Sequence, residues 1–115
     1  MNRKYLNALY TMTITTVVFI SQSVIASPHE NFIRERMKDR LTEVVELKIE
    51  GIFIEGDDGY LHVVPNKKVS GSVERLMTME NIDRKEVYRT IGLKATPIMI
   101  AGEVGKMRAE LRKNN

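Results

Sequence analysis

Apolar side chains between Glu30 and about Ile49 fall at Ile33, Met37, Leu41, Val44 and Val45, in steps of four, four, three and one. That spacing predicts an amphipathic helix with Arg34, Glu35, Lys38, Asp39 and Glu43 mostly on its outer side. Ser27-Pro28 supplies a start and Gly51 a stop, because glycine takes the left-handed conformation that closes many helices. The pattern then changes period. Ile52, Phe53 and Ile54, and later Tyr60, Leu61, His62, Val63 and Val64, flank Gly56-Asp57-Asp58-Gly59. Residues suited to strands around residues suited to a turn predict strand, turn, strand. From about Ser70 to Leu93 the helical period returns at Val73, Leu76, Met77, Val87, Tyr88 and Ile91, with Glu80 and Arg84 interrupting the stripe. Asp83-Arg84-Lys85-Glu86 has the form of a capping box, but one long helix, with any kink near Asn81 and Gly92 as its close, is the expected element. Thr96-Pro97 predicts the start of a last helix, with Ile98, Ala101, Val104, Met107 or Arg108, and Leu111 on its inner side. The expected fold class is mainly α: about three amphipathic helices plus one small β-hairpin, in a single domain spanning residues 27–115.

The first 26 residues have a different layout. A short basic start, Arg3 and Lys4, precedes an apolar run from about Leu6 to Ile20 and a polar close ending Val24-Ile25-Ala26. This predicts a secretory signal peptide cleaved after Ala26, and hence a periplasmic protein. An uncleaved membrane anchor is the alternative, although threonines and Ser21-Gln22-Ser23 dilute a run that a spanning helix would need to be about 20 residues long and mainly apolar. The chain carries 18 Lys and Arg against 15 Asp and Glu. Loss of Arg3 and Lys4 brings it close to neutrality, and the remaining cations are interleaved with acids. Nucleic-acid binding, which rests on clustered cations, is therefore not expected. There is no cysteine, so neither a lipid-bearing thiol nor a disulfide is available and stability must come from packing. For so small a domain a partner can contribute to the ordered state.

The chemical possibilities narrow quickly. Glu55, Asp57 and Asp58 crowd between glycines, yet "EGDDGYLHVV" lacks the alternating oxygen ligands and later glutamate of a calcium loop. A glycosidase needs two carboxylates across a cleft, and a hairpin tip is a poor place for one. His29 and His62, distant in sequence and without cysteine, do not predict zinc, and Ser70-Gly71-Ser72 lacks the setting of a nucleophile elbow. No metal or cofactor is expected. Asn81, Arg84 and Tyr88 lie at offsets of three and four, in line with the apolar stripe. They predict a polar seam in which Arg84 pairs with Glu55 or Glu80 and Asn81 satisfies hairpin backbone; a partner-binding patch stays open as the alternative. Met79 and Met99 fall off the main stripes and are the methionines expected at an adaptable surface.

Taken together, "LKIEG", "GIFIEGDDGYL", "ENIDRKEVY" and "EVGKMRAE" resemble the YdbL family of small bacterial periplasmic proteins, a domain of unknown function. The resemblance covers about Arg40 to Glu110. Gly51, Glu55, Gly59, Tyr60 and Leu61 match the family's hairpin, Asn81, Arg84 and Tyr88 its helical set, and Val104-Gly105 and Arg108-Ala109-Glu110 its last motif. Ile54 stands where a second glycine is usual, so close backbone approach is not expected there. Beyond Glu110 the family commonly continues through a glycine and an aromatic residue, whereas this sequence reads "LRKNN". The resemblance implies a non-enzymatic periplasmic accessory, a chaperone or assembly modulator for a phospholipid-transport bridge made of an AsmA-like protein and a small outer-membrane lipoprotein. Gly51, Glu55, Gly59, Tyr60, Asn81, Arg84 and Tyr88 are the expected structural or partner-binding determinants. The alternatives are a small periplasmic hydrolase using Glu55 and a membrane-tethered binding module that keeps its N-terminal helix.

Overall fold

The computed structural model describes residues 27–115; the expected signal peptide, its cleavage point and the alternative anchor lie outside the described residues. In chain order the elements are α1 (Pro28–Ile49), β1 (Phe53–Glu55), β2 (Leu61–Val63), α2 (Gly71–Lys94) and α3 (Ala101–Lys113). The fold is thus mainly helical with one two-stranded antiparallel hairpin. No described helix is long and apolar enough to cross a membrane.

Helix α1 begins as its sequence predicts. Ser27 Oγ accepts the N–H of Glu30 at 3.2 Å and Pro28 occupies the first turn, satisfying one orphan donor and adding none. It ends at Gly51, whose φ is +72°. There the N–H of Gly51 donates to Lys48 and that of Ile52 to Leu47, at 3.1 and 2.9 Å, and both Leu47 and Ile52 pack against the core. The inner face of α1 differs from the expected stripe. Ile33 and Val44 are buried, but Leu41 and Val45 are 58% and 41% exposed. Arg36 and Arg40 take the inward line instead, because Asp83 and Glu80 are buried on α2 and a buried carboxylate without a cation is strongly disfavoured.

In the hairpin Phe53 faces Val63, Ile54 faces His62 and Glu55 faces Leu61. The N–H of Gly56 donates to Tyr60 at 2.8 Å, the N–H of Gly59 donates to Gly56 at 3.1 Å, and Gly59 has φ +87°. This is the three-residue hairpin loop that a left-handed glycine makes possible. One apolar side of the hairpin closes the core: Phe53 and Leu61 pack with Val44 of α1 and Leu76 of α2.

Helix α2 is continuous through Asn81 and runs two residues past Gly92. It lies antiparallel to α1, as the pairs Glu30–Lys94 and Arg40–Glu80 require. The start of α3 departs from expectation. Thr96-Pro97, joined by a cis peptide, stays in the connector, and the helix begins at Ala101. Ile98 is 72% exposed and Leu111 also points outward, while Val104, Gly105 and Ala109 are buried. The cause is a backbone clamp: the carbonyl of Gly92 accepts the N–H groups of Ala95 and Met99 at 3.3 and 3.0 Å. A Cβ at Gly92 would lie 2.0 Å from the Met99 carbonyl oxygen, so the connector can fold back only over glycine. The helix then starts where Glu103 Oε2 accepts the N–H of Ile100 at 3.3 Å. From there α3 returns along α2 toward the hairpin tip.

Candidate functional site

Glu55 closes strand β1 and points its carboxylate to where all three helices converge. Oε1 accepts Lys48 Nζ of α1 at 3.1 Å and Arg84 Nη2 of α2 at 2.9 Å. Oε2 accepts Arg84 Nη1 at 2.6 Å and Arg112 Nη1 of α3 at 2.8 Å. The Arg84 contact is the two-pronged guanidinium–carboxylate geometry that gives the firmest ion pairs. Burial alone would raise the Glu55 pKa; the hydrogen bonds and charges of Arg84 and Lys48 outweigh it and hold the carboxyl at about 2. For Arg84 burial works against the charge, and Glu55 and Glu80 together hold the guanidinium above its ordinary value.

Arg84 is itself buried. Besides Glu55 it reaches Glu80 through Nε at 3.1 Å and the carbonyl of Gly59 at 3.3 Å. That same carbonyl accepts the Tyr88 hydroxyl at 2.5 Å. The Tyr88 ring meets Tyr60 edge to face, centroids 5.5 Å apart, a favourable aromatic geometry. Burial, with Tyr88 and Asp58, pushes the Tyr60 phenol upward. Gly59 presses backbone to backbone on α3: a Cβ there would sit 2.4 Å from the carbonyl oxygen of Gly105, and one at Gly105 would sit 2.4 Å from that of Asp58. Close approach therefore occurs at Gly59 and Gly105, while Ile54 is half exposed on the hairpin. Asn81 serves the other strand, its amide accepting from the N–H of Leu61 and donating to its carbonyl, both at 2.8 Å.

Of the seven residues singled out from the sequence, six meet here: Glu55, Gly59, Tyr60, Asn81, Arg84 and Tyr88. Gly51 stands apart as the exposed stop of α1. Both partners expected of Arg84, Glu55 and Glu80, are engaged, and Asn81 satisfies hairpin backbone. The aspartates of the tip behave as turn residues. Asp58 accepts the N–H of Tyr60 at 2.9 Å and faces His62 Nε2 at 2.9 Å; partial burial opposes its ionisation, but these contacts hold its pKa below the ordinary value. Asp57 is exposed and paired with Lys113 at 2.8 Å. Met79 is exposed and Met99 half-buried.

Sequence reasoning missed the continuation of the network. Asp83, 1% exposed, binds Arg36 through Oδ1 and Arg40 through Oδ2, and Arg40 also reaches Glu80 at 3.4 Å. A chain of alternating charge thus runs from Arg36 through Asp83, Arg40, Glu80 and Arg84 to Glu55. The Nε groups of Arg36 and Arg40 are buried without a hydrogen-bond partner among the described residues. The available signal was reciprocal spacing: Arg36 and Arg40 four apart on one helix, Glu80 and Asp83 three apart on the next. Chemically the site holds charge and geometry. Every carboxylate in it is engaged by a cation, and among the described residues no three His, Asp or Glu side chains come together as a metal cage. Comparison with family models, with curated proteins and with solved structures finds no match to this chain.

Proposed function

We propose that the chain is a non-enzymatic periplasmic accessory protein of the YdbL type, exported through a cleaved signal peptide. Its work is to act as chaperone or assembly modulator for an envelope bridge, binding an AsmA-like protein or a small outer-membrane lipoprotein. The observation that carries the non-enzymatic part is Glu55: with four hydrogen bonds and a pKa near 2, it suits a scaffold hub and is poorly matched to a general acid or base working near neutrality. The same geometry weighs against a hydrolase built on this residue. Arg84 and Tyr88 are buried, so on this reading they hold the scaffold and contact falls to the surface. The connector between α2 and α3 supports that division, since Ile98 and Ile100 are 72% and 71% exposed.

The test is crosslinking pull-down from intact envelopes, with intact mass read on the same sample. The expected result is recovery of the AsmA-like protein or the lipoprotein by a chain lacking residues 1–26. Capture should be lost in Ile98→Asp/Ile100→Asp with far-ultraviolet circular dichroism unchanged, aspartate being a good residue at the helix start that Ile100 occupies. Recovery of neither partner would overturn the proposal.

A further inference from the structure

Away from the Glu55 hub, α1, α2 and Arg108 of α3 line a cleft of about 490 Å³, within the roughly 300–1,000 Å³ typical of small-molecule pockets. Its apolar lining comes from Ile33 and Met37 of α1 and Val87 and Ile91 of α2. Five charged residues complete it, and their pairing is uneven. Glu30 is paired with Lys94 at 2.9 Å, and Glu86 is bonded by Arg89 Nε at 2.9 Å. Arg34 and Arg108, both exposed, have no hydrogen bond or ion pair among the described residues. Arg34 acts on Glu30 through its charge alone, so two guanidinium groups whose N–H donors are unused among the described residues border an apolar hollow whose acids are already neutralised.

Guanidinium forks fit carboxylate and phosphate oxygens, and an apolar wall takes hydrocarbon out of water. We propose that this cleft binds a single-chain amphiphile with an anionic head, the chain lying over Ile33, Met37, Val87 and Ile91 and the head between Arg34 and Arg108. An uncharged apolar ligand would leave both cations unused, and a bare anion would leave the apolar wall wet. The site is separate from the hub and does not rest on the protein-partner role.

The experiment is calorimetric titration of the purified protein with dodecanoate below its micelle concentration. The neutral dodecanoyl glyceride and inorganic phosphate serve as comparison ligands. Dodecanoate should bind at one site per chain, and R34Q/R108Q, at exposed positions, should weaken it roughly tenfold, as loss of charge-assisted contacts implies. Thr90→Trp, which fills the cleft beside Ile91, should abolish binding while leaving both arginines and the circular dichroism intact. Failure of dodecanoate to bind, equal affinity for the neutral glyceride, displacement of dodecanoate by phosphate alone, or undiminished binding by R34Q/R108Q would each overturn the proposal.

Discussion

Toward α1, helix α2 presents Asp83 and Glu80 to Arg36 and Arg40; toward α3 it presents Gly92 and Tyr88 to Val104 and Gly105. The first seam is set by charge and the second by distance. In the charged seam each side chain can move a little, but the buried Asp83, Glu80 and Arg40 cannot lose all their mates without leaving a desolvated ion behind. Such a set adds little net stability over well-packed apolar residues, yet removing one member is costly. In the glycine seam the first obstacle to a larger residue is backbone that cannot rotate aside: the Met99 carbonyl of the connector at Gly92 and the Asp58 carbonyl of the hairpin at Gly105, with the Val104 and Tyr88 side chains close behind. The lesson is that the two seams should fail under different substitutions and under different conditions.

The sharpest break is expected in the charged seam. Asp83→Ala leaves the buried Arg40 with Glu80 as its remaining acid and releases the part-exposed Arg36. It should reduce the unfolding free energy by about 3 kcal/mol, the low end for a broken buried pair, read from urea titration. Replacing Arg36, Arg40 and Asp83 jointly by apolar residues should recover most of that; a joint variant as unstable as the single one would mean the seam depends on its ions in a way a pairing argument does not supply. Next in size is Gly105→Ala, expected to lose about 1–3 kcal/mol through overpacking. Its control lies on the same helix: a Cβ at Gly102 meets nothing within 4 Å, so Gly102→Ala should gain up to about 1 kcal/mol from helix propensity. Equal effects at the two glycines would remove the distance argument. Smallest is a pH effect confined to the charged hub. The folded pKa of Glu55, about 2, lies below its unfolded value near 4.3. Its contribution is therefore present above the unfolded value and lost as pH falls from there toward 2. Linkage limits it to about 3 kcal/mol, less after solvent screening. Urea midpoints at stepped pH should drop less steeply over this window in Glu55→Gln than in the parent, whereas Gly105→Ala should keep the parent slope.

What was legible in the sequence follows the same division between local and distant causes. Ser27-Pro28, the stop at Gly51 and the hairpin at Gly56–Gly59 are decided by residues within a turn of one another. The helical face of Asn81, Arg84 and Tyr88 was legible from period alone, and even the partners of Arg84 could be narrowed to two acids. The inward turn of Arg36 and Arg40 was not, since it depends on carboxylates 40 to 47 positions away. The true start of α3 was hidden for a related reason. Thr96-Pro97 is a good local signal, and it loses to the carbonyl of Gly92, which holds Ala95 and Met99 out of any helix. Glu55 was visible as a residue of interest, but its set of partners from three helices exists only in the assembled fold.

Asn81 carries a consequence beyond stability. The outer side of a strand is a row of donors and acceptors that invites another strand, from a second copy or from an unrelated chain. At Leu61 both backbone groups of β2 are taken by one side-chain amide, which occupies the place a third strand would use. A two-stranded sheet with an edge filled in this way offers an incoming chain no register at its most deeply buried residue. On the β2 side the sheet goes no further because a helix side chain finishes it.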